Sequence, residues 1–325
     1  MALRSVPLAV ALSLAAAASS WAGDGATAPS GAPMQRTMAV TVDDLPATPA
    51  DDLAEMRRIT DGVLAALRKH QVPAIGFVNE QRLGPQAERK ARVALLADWL
   101  AAACELGNHT YAHAGLQTTP LAEYEQQVLQ GEQETRRLLA ARGRAPRYFR
   151  HPFTQTGPTA EVKHTFEAFL AEHGYVVAPF SIETSDYVFD AVRHAALARG
   201  DADTAARLRS VYLDHSLAVT EFMESLARDT FGRPIAQILL VHANGTNAEA
   251  LDELLSRLEA RGYRFVSLGE ALADEAWKTP DEYVGPHGPS WLHRFQIAKG
   301  RPSRLREEPD PPKWLLDAYQ ALQPR

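Results

Sequence analysis

Short apolar runs rich in β-branched residues alternate along the chain with longer stretches in which apolar residues recur at helical spacing. In residues 51–70, for example, Met56, Ile59 and Val63 fall on one face of a helix. The runs predict strands at 38–43, 74–78, 106–109, 147–150, 175–178, 235–242 and 263–268. The longer stretches predict helices at 51–70, 86–104, 120–143, 160–173 and 248–262. About seven strands separated by helices predict an α/β fold with a parallel sheet, open or closed into a barrel.

Three segments depart from this alternation and divide the chain. Residues 23–36, rich in Gly, Ala, Pro and Ser, predict a flexible lead-in to one main domain at 37–276. Residues 191–229 are longer than a simple crossover and almost wholly compatible with helix, which predicts a helical insertion before the strand at 235–242. Residues 277–325, rich in Pro, Trp and charge, predict a C-terminal extension packed on the domain surface.

The first 22 residues have the pattern of a secretory signal peptide. Arg4 precedes an apolar run from Leu8 to Ala18, and small residues at Ser20 and Ala22 favour cleavage after Ala22. The alternative is a membrane anchor, but the run is shorter than the roughly 20 apolar residues that span a bilayer. We therefore expect an exported protein, periplasmic or secreted, with no stable membrane insertion after signal cleavage.

The composition gives no support for a nucleic-acid partner and excludes an intramolecular disulfide. The 325 residues are 46% hydrophobic and 23% charged with a net charge of −6, as in globular proteins, and nothing in this balance favours nucleic acid. Cys104 is the single cysteine, so an intramolecular disulfide is excluded. Its apolar neighbours predict a buried structural thiol.

Two short motifs carry the first sign of chemistry. A strand-like run ends in the adjacent carboxylates Asp43 and Asp44, and His109 and His113 follow in a His-x3-His motif. One carboxylate with two imidazoles is a three-ligand set that leaves positions on a catalytic metal for water and substrate. The second carboxylate is then a candidate general base, and which aspartate takes which part stays open at this point. The same ligand types also allow a non-haem iron oxygenase.

Two further polar residues occupy equivalent places in the predicted fold. Arg150 and His242 end predicted strands, as Asp43 and His109 do. In barrels of alternating strands and helices, this end of the strands is where active sites are built. Four polar groups from four strands are therefore expected to face one mouth.

Taken together, the motifs match those of a known family. They are Thr-Val-Asp43-Asp44, His109-Thr-Tyr-Ala-His113, Arg150-His-Pro152-Phe153, Ser185-Asp186-Tyr187 and Leu240-Val-His242. In this order, over residues 38–268, the chain resembles the polysaccharide deacetylases with a NodB-homology domain (carbohydrate esterase family 4). The resemblance implies a distorted (β/α) barrel of about seven parallel strands.

The resemblance also implies a role for each matching residue. The implied metal ligands are Asp44, His109 and His113; the general base is Asp43, oriented by Arg150; the general acid is His242, tuned by Asp186; Phe153 supplies a backbone N–H to an oxyanion and Tyr187 lines the substrate site. Zinc is the expected ion, with cobalt, manganese or nickel as alternatives. Arg150 is expected to favour the ionised form of Asp43.

The chain also departs from the family pattern where substrate is expected to bind. Leu45 and Thr154 stand where the family has glycine, and Tyr187 where it often has tryptophan. With the predicted insertion, these changes leave the acetylated substrate open between a glycan and a small molecule, and between N- and O-acetyl groups. Two alternatives are a metal-dependent amidohydrolase acting on a small, non-polymeric C–N substrate and a non-catalytic carbohydrate-binding relative.

Overall fold

A parallel sheet organises the chain, seen in a computed structural model that describes residues 36–286 and 288–323. The predicted signal peptide at 1–22 and the lead-in up to residue 35 lie outside the described residues. Within the described ranges, none of the helices is long and apolar enough to cross a membrane.

The part of the chain that the structure describes contains eight strands, and every pairing between them is parallel. They are β1 (Arg36–Leu45), β2 (Ile75–Val78), β3 (Glu105–Asn108), β4 (Tyr148–Phe149), β5 (Val176–Val177), β6 (Ile182–Glu183), β7 (Gln237–His242) and β8 (Tyr263–Phe265). Seven follow the order β5-β4-β3-β2-β1-β7-β6, and β8 pairs with the first residues of β1. The curled sheet agrees with the predicted barrel.

Helices connect the strands and surround the sheet. Those of the described residues are α1 (Leu53–Lys69), α2 (Gln86–Ala101), α3 (Leu121–Gln130), α4 (Gln133–Ala140), α5 (Ala160–Glu172), α6 (Asp186–Ala198), α7 (Ala202–Phe231), α8 (Gly245–Ala260), α9 (Leu268–Leu272), α10 (Trp291–Ala298) and α11 (Lys313–Leu322). Short 3₁₀ turns lie at Glu80–Leu83, Pro152–Thr154, Glu275–Lys278 and Leu305–Glu307.

The central strand β1 explains why the active-site carboxylates are buried. Its residues from Met38 onward are buried on both faces, which is why the sequence reads as a continuous apolar run. β7 pairs with it in a register that sets Asp43 opposite His242. The two central strands therefore deliver their polar ends to the same edge of the sheet.

Two of the sequence-based element predictions need correction. The predicted helix 120–143 is broken at Gly131 into α3 and α4, and Pro120 is the N-cap of α3. The predicted strand 263–268 ends at Phe265, because Ser267 and Glu270 form a capping box that starts α9. The two-residue strand β6 was not predicted, since it is too short to show any periodicity.

The segments predicted as insertion and extension both contribute to the main core. Residues 186–231 form α6 and α7, and Tyr212 and Met223 of α7 are fully buried. In the extension, Leu292 and Phe295 of α10 are buried in the same cluster. The backbone N–H of Trp291 donates to the Phe180 carbonyl at 3.0 Å, so α10 covers the link between the edge strands β5 and β6.

Candidate active site

Three side chains, one from the end of β1 and two from the loop after β3, converge as a possible metal site. Nε2 of His109 lies 3.6 Å and Nε2 of His113 lies 3.5 Å from Oδ1 of Asp44. The ligand atoms of the three residues all lie within 4.8 Å of one another. Oδ1 of Asp44 is buried and has no hydrogen-bond partner among the described residues. Two imidazole nitrogens around an otherwise unpartnered carboxylate oxygen form a donor set that fits a first-row divalent ion.

The backbone orients these ligands. His109 directly follows β3, and its Nδ1 lies 2.7 Å from the Arg150 carbonyl, an acceptor that leaves Nε2 free to face Asp44. Asp44 and His113 have φ values of 67° and 55°. The left-handed backbone at Asp44 lets two adjacent aspartates turn away from the alternating strand pattern, and Asp is one of the residues that tolerate it.

Burial and neighbouring charges together set the protonation states of the three groups. Desolvation lowers the pKa of His109 and of His113 to about 4, although Asp44 opposes the shift. Both imidazoles are therefore neutral near pH 7, the form that binds a metal. For Asp44, burial raises the pKa, but His113 and His109, protonated in the pH range where Asp44 titrates, bring it below its usual value. Asp44 is accordingly a carboxylate at neutral pH.

Asp43 lies between this cluster and Arg150. Its Oδ2 is 3.9 Å from Nε2 of His109 and 3.6 Å from Nη1 of Arg150, and its Oδ1 has no partner within residues 36–286 and 288–323. Burial raises the pKa of Asp43 above its ordinary value, while Arg150 and then His242 oppose that rise. Arg150 acts in the expected direction, but burial outweighs it in the ion-free site. A divalent cation at Asp44 would favour the ionised form further.

Arg150 is held in a fully buried position by few hydrogen bonds and two aromatic rings. Its Nη2 donates to Oγ1 of Thr41 at 2.9 Å, and the guanidinium lies 5.0 Å from the Phe77 ring and 5.7 Å from the Phe180 ring. Such cation–π contacts suit a guanidinium that has lost its water. The β1 residue Thr41 fixes Arg150 beside Asp43 and was not singled out from the sequence.

His242, which pairs with Asp43 in the β1–β7 register, is part of a second polar cluster. Its Nδ1 lies 2.7 Å from Oδ1 of Asp186, and its backbone N–H donates to Oδ2 of Asp186 at 2.6 Å. Burial alone would lower the pKa of His242, but Asp186 raises it to about 10. His242 is therefore an imidazolium at neutral pH, and its Nε2 side remains available to donate a proton.

Asp186 is itself held by residues that the sequence did not identify. Asn247, in the first turn of α8, donates from Nδ2 to Oδ2 of Asp186 and to the His242 carbonyl. Tyr212 of α7 donates to Oδ1 of Asn247 at 2.8 Å and contacts Thr184 at 3.1 Å. The only sequence signal for Asn247 is its place five residues after His242, beside the N-cap Asn244.

Phe153 and Tyr187 flank the site with exposed rings, 59% and 48% accessible. The Phe153 ring lies 4.5 Å from the His113 ring, and the Tyr187 ring lies 6.1 Å from His242 and 6.0 Å from Tyr319 of α11. Phe153 and its neighbour Thr154 both have left-handed backbone, with φ values of 52° and 54°. For residues other than glycine, this conformation costs about 1–2 kcal/mol each.

A cavity of about 450 Å³ adjoins the metal cluster on the side of His113. Polar and aromatic groups line it, among them Asn79, Arg82 and Tyr111. Arg82 donates to the Ala47 carbonyl at 3.2 Å, which keeps its guanidinium at the cavity wall. The cavity gives a ligand at the metal cluster room to extend on one side.

Comparisons with known proteins agree with this arrangement. Residues 30–177 match the family model of polysaccharide deacetylase. A peptidoglycan-N-acetylglucosamine deacetylase of Bacillus cereus is 27% identical over 77% of this chain and 73% of its own length. A chitin deacetylase of Colletotrichum lindemuthianum is 26% identical over 74% of this chain and 82% of its own.

A solved structure shows the same fold. The peptidoglycan N-acetylglucosamine deacetylase in complex with 4-naphthalen-1-yl-N-oxidanyl-benzamide is 20% identical, covers 74% of this chain and 90% of its own, and has a TM-score of 0.50. The distorted (β/α) barrel predicted from the sequence is thereby confirmed. The match over residues 30–177 and the named relatives show that this chain is similar to the polysaccharide deacetylases, as the sequence motifs predict.

Proposed function

We propose that the protein is a metal-dependent hydrolase that removes acetyl groups from a carbohydrate. The observation that carries the proposal is the position of Asp43, which lies 3.9 Å from His109 of the Asp44–His109–His113 cluster and pairs in the β1–β7 register with His242, the partner of Asp186. A base and an acid beside one metal site serve hydrolysis, and neither an oxygenase nor a binding protein requires both.

A divalent ion held by Asp44, His109 and His113, with zinc expected and cobalt, manganese or nickel as alternatives, would acidify a water and polarise the acetyl carbonyl. Asp43 accepts the proton of the attacking water, and Arg150 keeps its carboxylate oriented. The backbone N–H of Phe153 assists the developing oxyanion.

His242 completes the hydrolysis as the general acid. As the C–N or C–O bond breaks, it donates its proton to the leaving amine or alkoxide, so the products are acetate and the free amine or hydroxyl group. Asp186 keeps His242 protonated until this step.

An acetylated glycan is the proposed substrate class. Two relatives are named for peptidoglycan N-acetylglucosamine and for chitin, which supports an N-acetylated sugar. The cavity of about 450 Å³ beside His113 gives room for a neighbouring sugar. The signal-peptide pattern of residues 1–22 supports action outside the cytoplasm, in the periplasm or after secretion.

Substitution of the base and of one metal ligand tests general-base catalysis and metal binding separately. Asp43→Asn should retain the metal but lower the rate of acetate release about 10²- to 10⁴-fold, because the general base is lost. His109→Ala should lose both metal and activity. Acetate release is measured on acetylated glycans, oligosaccharides and small amides, with and without chelator, and metal content by elemental analysis.

Exposed residues of the same types serve as controls. Asp61→Asn on α1 and His164→Ala on α5 should keep metal content and activity at the wild-type level. Full activity in Asp43→Asn or His109→Ala contradicts the proposed mechanism. Release confined to small amides favours the amidohydrolase alternative, and no release from any compound favours a non-catalytic binding protein.

A further inference from the structure

The loop that carries Phe153 has an unfavourable backbone that needs outside support. Phe153 and Thr154 are consecutive residues with φ values of 52° and 54°, in the left-handed region that favours glycine. Thr154 is also β-branched, which adds to the strain. The 3₁₀ turn Pro152–Thr154 supplies few bonds of its own, among them Thr154 N–H to the His151 carbonyl at 3.0 Å.

The support comes from the C-terminal extension. Nη2 of Arg294, on α10, donates to the Thr154 carbonyl at 2.7 Å, and its Nη1 donates to Oγ1 of Thr156 at 3.2 Å. Oγ1 of Thr154 donates to the Gly288 carbonyl at 2.6 Å. A Cβ added at Gly288 would lie 1.6 Å from Oγ1 of Thr154, so the two segments approach so closely that only glycine fits.

Contacts outside the loop also fix the position of the Arg294 side chain. It is only 1% exposed, its Nη1 lies 3.0 Å from Oδ2 of Asp281, and its Nε donates to the Pro289 carbonyl at 2.9 Å. The guanidinium stacks 3.9 Å from the Trp291 ring. Asp281 in turn binds Nζ of Lys163 on α5 at 2.9 Å. A buried cation with partners on every side is a rigid anchor.

The anchored loop reaches the metal cluster through Phe153. Its ring packs edge-on against His113, and Arg150, whose carbonyl accepts from His109, lies three residues upstream. We propose that Arg294 is a positioning residue, which holds the Phe153–Thr154 turn in its left-handed form and so places the Phe153 N–H at the reacting carbonyl. The catalytic part of this inference rests on the proposed deacetylase function.

The test compares Arg294→Met with Arg304→Met. Arg304 is another arginine of the extension with an aromatic contact, to Phe222, and ion pairs to Asp229 and Glu307, but it does not contact the loop. Arg294→Met should lower kcat about 10- to 100-fold with a smaller change in KM and full metal content, because the oxyanion donor is displaced. Arg304→Met should keep wild-type kinetics.

A second substitution distinguishes positioning from general stability. Thr154→Gly removes the backbone strain, so the double variant Arg294→Met/Thr154→Gly should recover part of the lost kcat. No recovery, or wild-type kcat in folded Arg294→Met, overturns the proposal. If Arg294→Met does not fold, Gly288→Ala tests the neighbouring contact of the extension with Thr154 without removing a charge, and wild-type kcat in that variant overturns the proposed support of the turn by the extension.

Hydrogen exchange of the loop gives a readout that does not depend on activity. The amides of Thr154 and Gln155, which donate to the His151 and Pro152 carbonyls, should exchange faster in Arg294→Met than in the wild type or Arg304→Met. Faster exchange in a protein that releases no acetate supports the positioning role while the proposed function fails. Unchanged exchange in an active enzyme overturns the positioning role alone.

Discussion

Among the single residues, His242 owes its charge to a neighbour that is distant in sequence. Desolvation favours its neutral form, and the contact with Asp186 at 2.7 Å reverses that preference and raises the pKa to about 10. Because this value lies above the unfolded value of about 6.5, the pair stabilises the fold fully below pH 6.5. That contribution is lost as the pH rises towards about 10.

Asp186→Asn should therefore move the alkaline limit of activity to lower pH. Without the carboxylate, burial dominates and the pKa of His242 falls, so the general acid loses its proton earlier. The measurement is kcat as a function of pH on an acetylated sugar. Asp190→Asn is the control, because Asp190 also accepts from the start of α8, through Thr246 N–H at 2.7 Å. An alkaline limit that stays in place in Asp186→Asn contradicts the assigned role of His242.

Among the elements, the break between α3 and α4 serves the metal loop. The Gln127 carbonyl accepts the backbone N–H of Tyr111 at 2.9 Å, and the Val128 carbonyl accepts Nδ2 of Asn108 at 2.9 Å. The Gln127 carbonyl also accepts the backbone N–H of Gly131 at 3.0 Å, whereas the Val128 carbonyl is one that a continuous helix would use for its own bond. The sequence from 120 to 143 is helical in pattern throughout, so nothing local reveals that its carbonyls are needed elsewhere.

Gly131→Ala should damage the metal loop through this junction. Gly131 has an ordinary φ of −81°, but an added Cβ would lie 2.6 Å from the backbone of Thr110 and Tyr111. We expect a loss of about 1–3 kcal/mol in the free energy of unfolding, as for other overpacked sites, and weaker metal binding. Denaturant unfolding and metal titration measure the two effects. Gln130→Ala, exposed at the adjacent position, should change neither, and equal behaviour of the two variants contradicts the close approach.

At the scale of the whole molecule, the proposed metal would be bound by two segments that are distant in sequence. Asp44 belongs to the last residues of β1, whereas His109 and His113 belong to the loop after β3. An ion that binds only the folded state stabilises it by about 2.7 kcal/mol at a free concentration of 100 times Kd. The proposed site therefore links metal content to global stability.

Removal of the ion should accordingly lower Tm by a few degrees. Thermal unfolding is followed with chelator and again after zinc is restored. His113→Ala should lose the dependence on zinc, since one of three ligands is gone, whereas His164→Ala should retain it. A wild-type Tm that is the same with and without chelator contradicts a bound structural or catalytic ion.

The molecule also shows why some of its strands and helices could be predicted from the sequence and others could not. β1 and β7 are long apolar runs buried on both faces, and such runs identify parallel strands directly. β6 has two residues and no pattern, and the C-terminal extension has no clear periodicity until Leu292 and Phe295 meet the core. Their structure depends on long-range contacts that local sequence does not encode.

The sequence by itself determined which chemical groups this protein carries and in what order, because Asp43, Asp44, His109 and His242 stand at or just after the ends of readable strands. Only the tertiary structure decided their protonation, because the pKa values of His109 and His242 shift in opposite directions according to burial and the presence of Asp186. It also decided that Arg294 supports Thr154, since 140 residues separate the two in the chain. Chemistry is local to a motif, whereas charge state and position arise from contacts made across the fold.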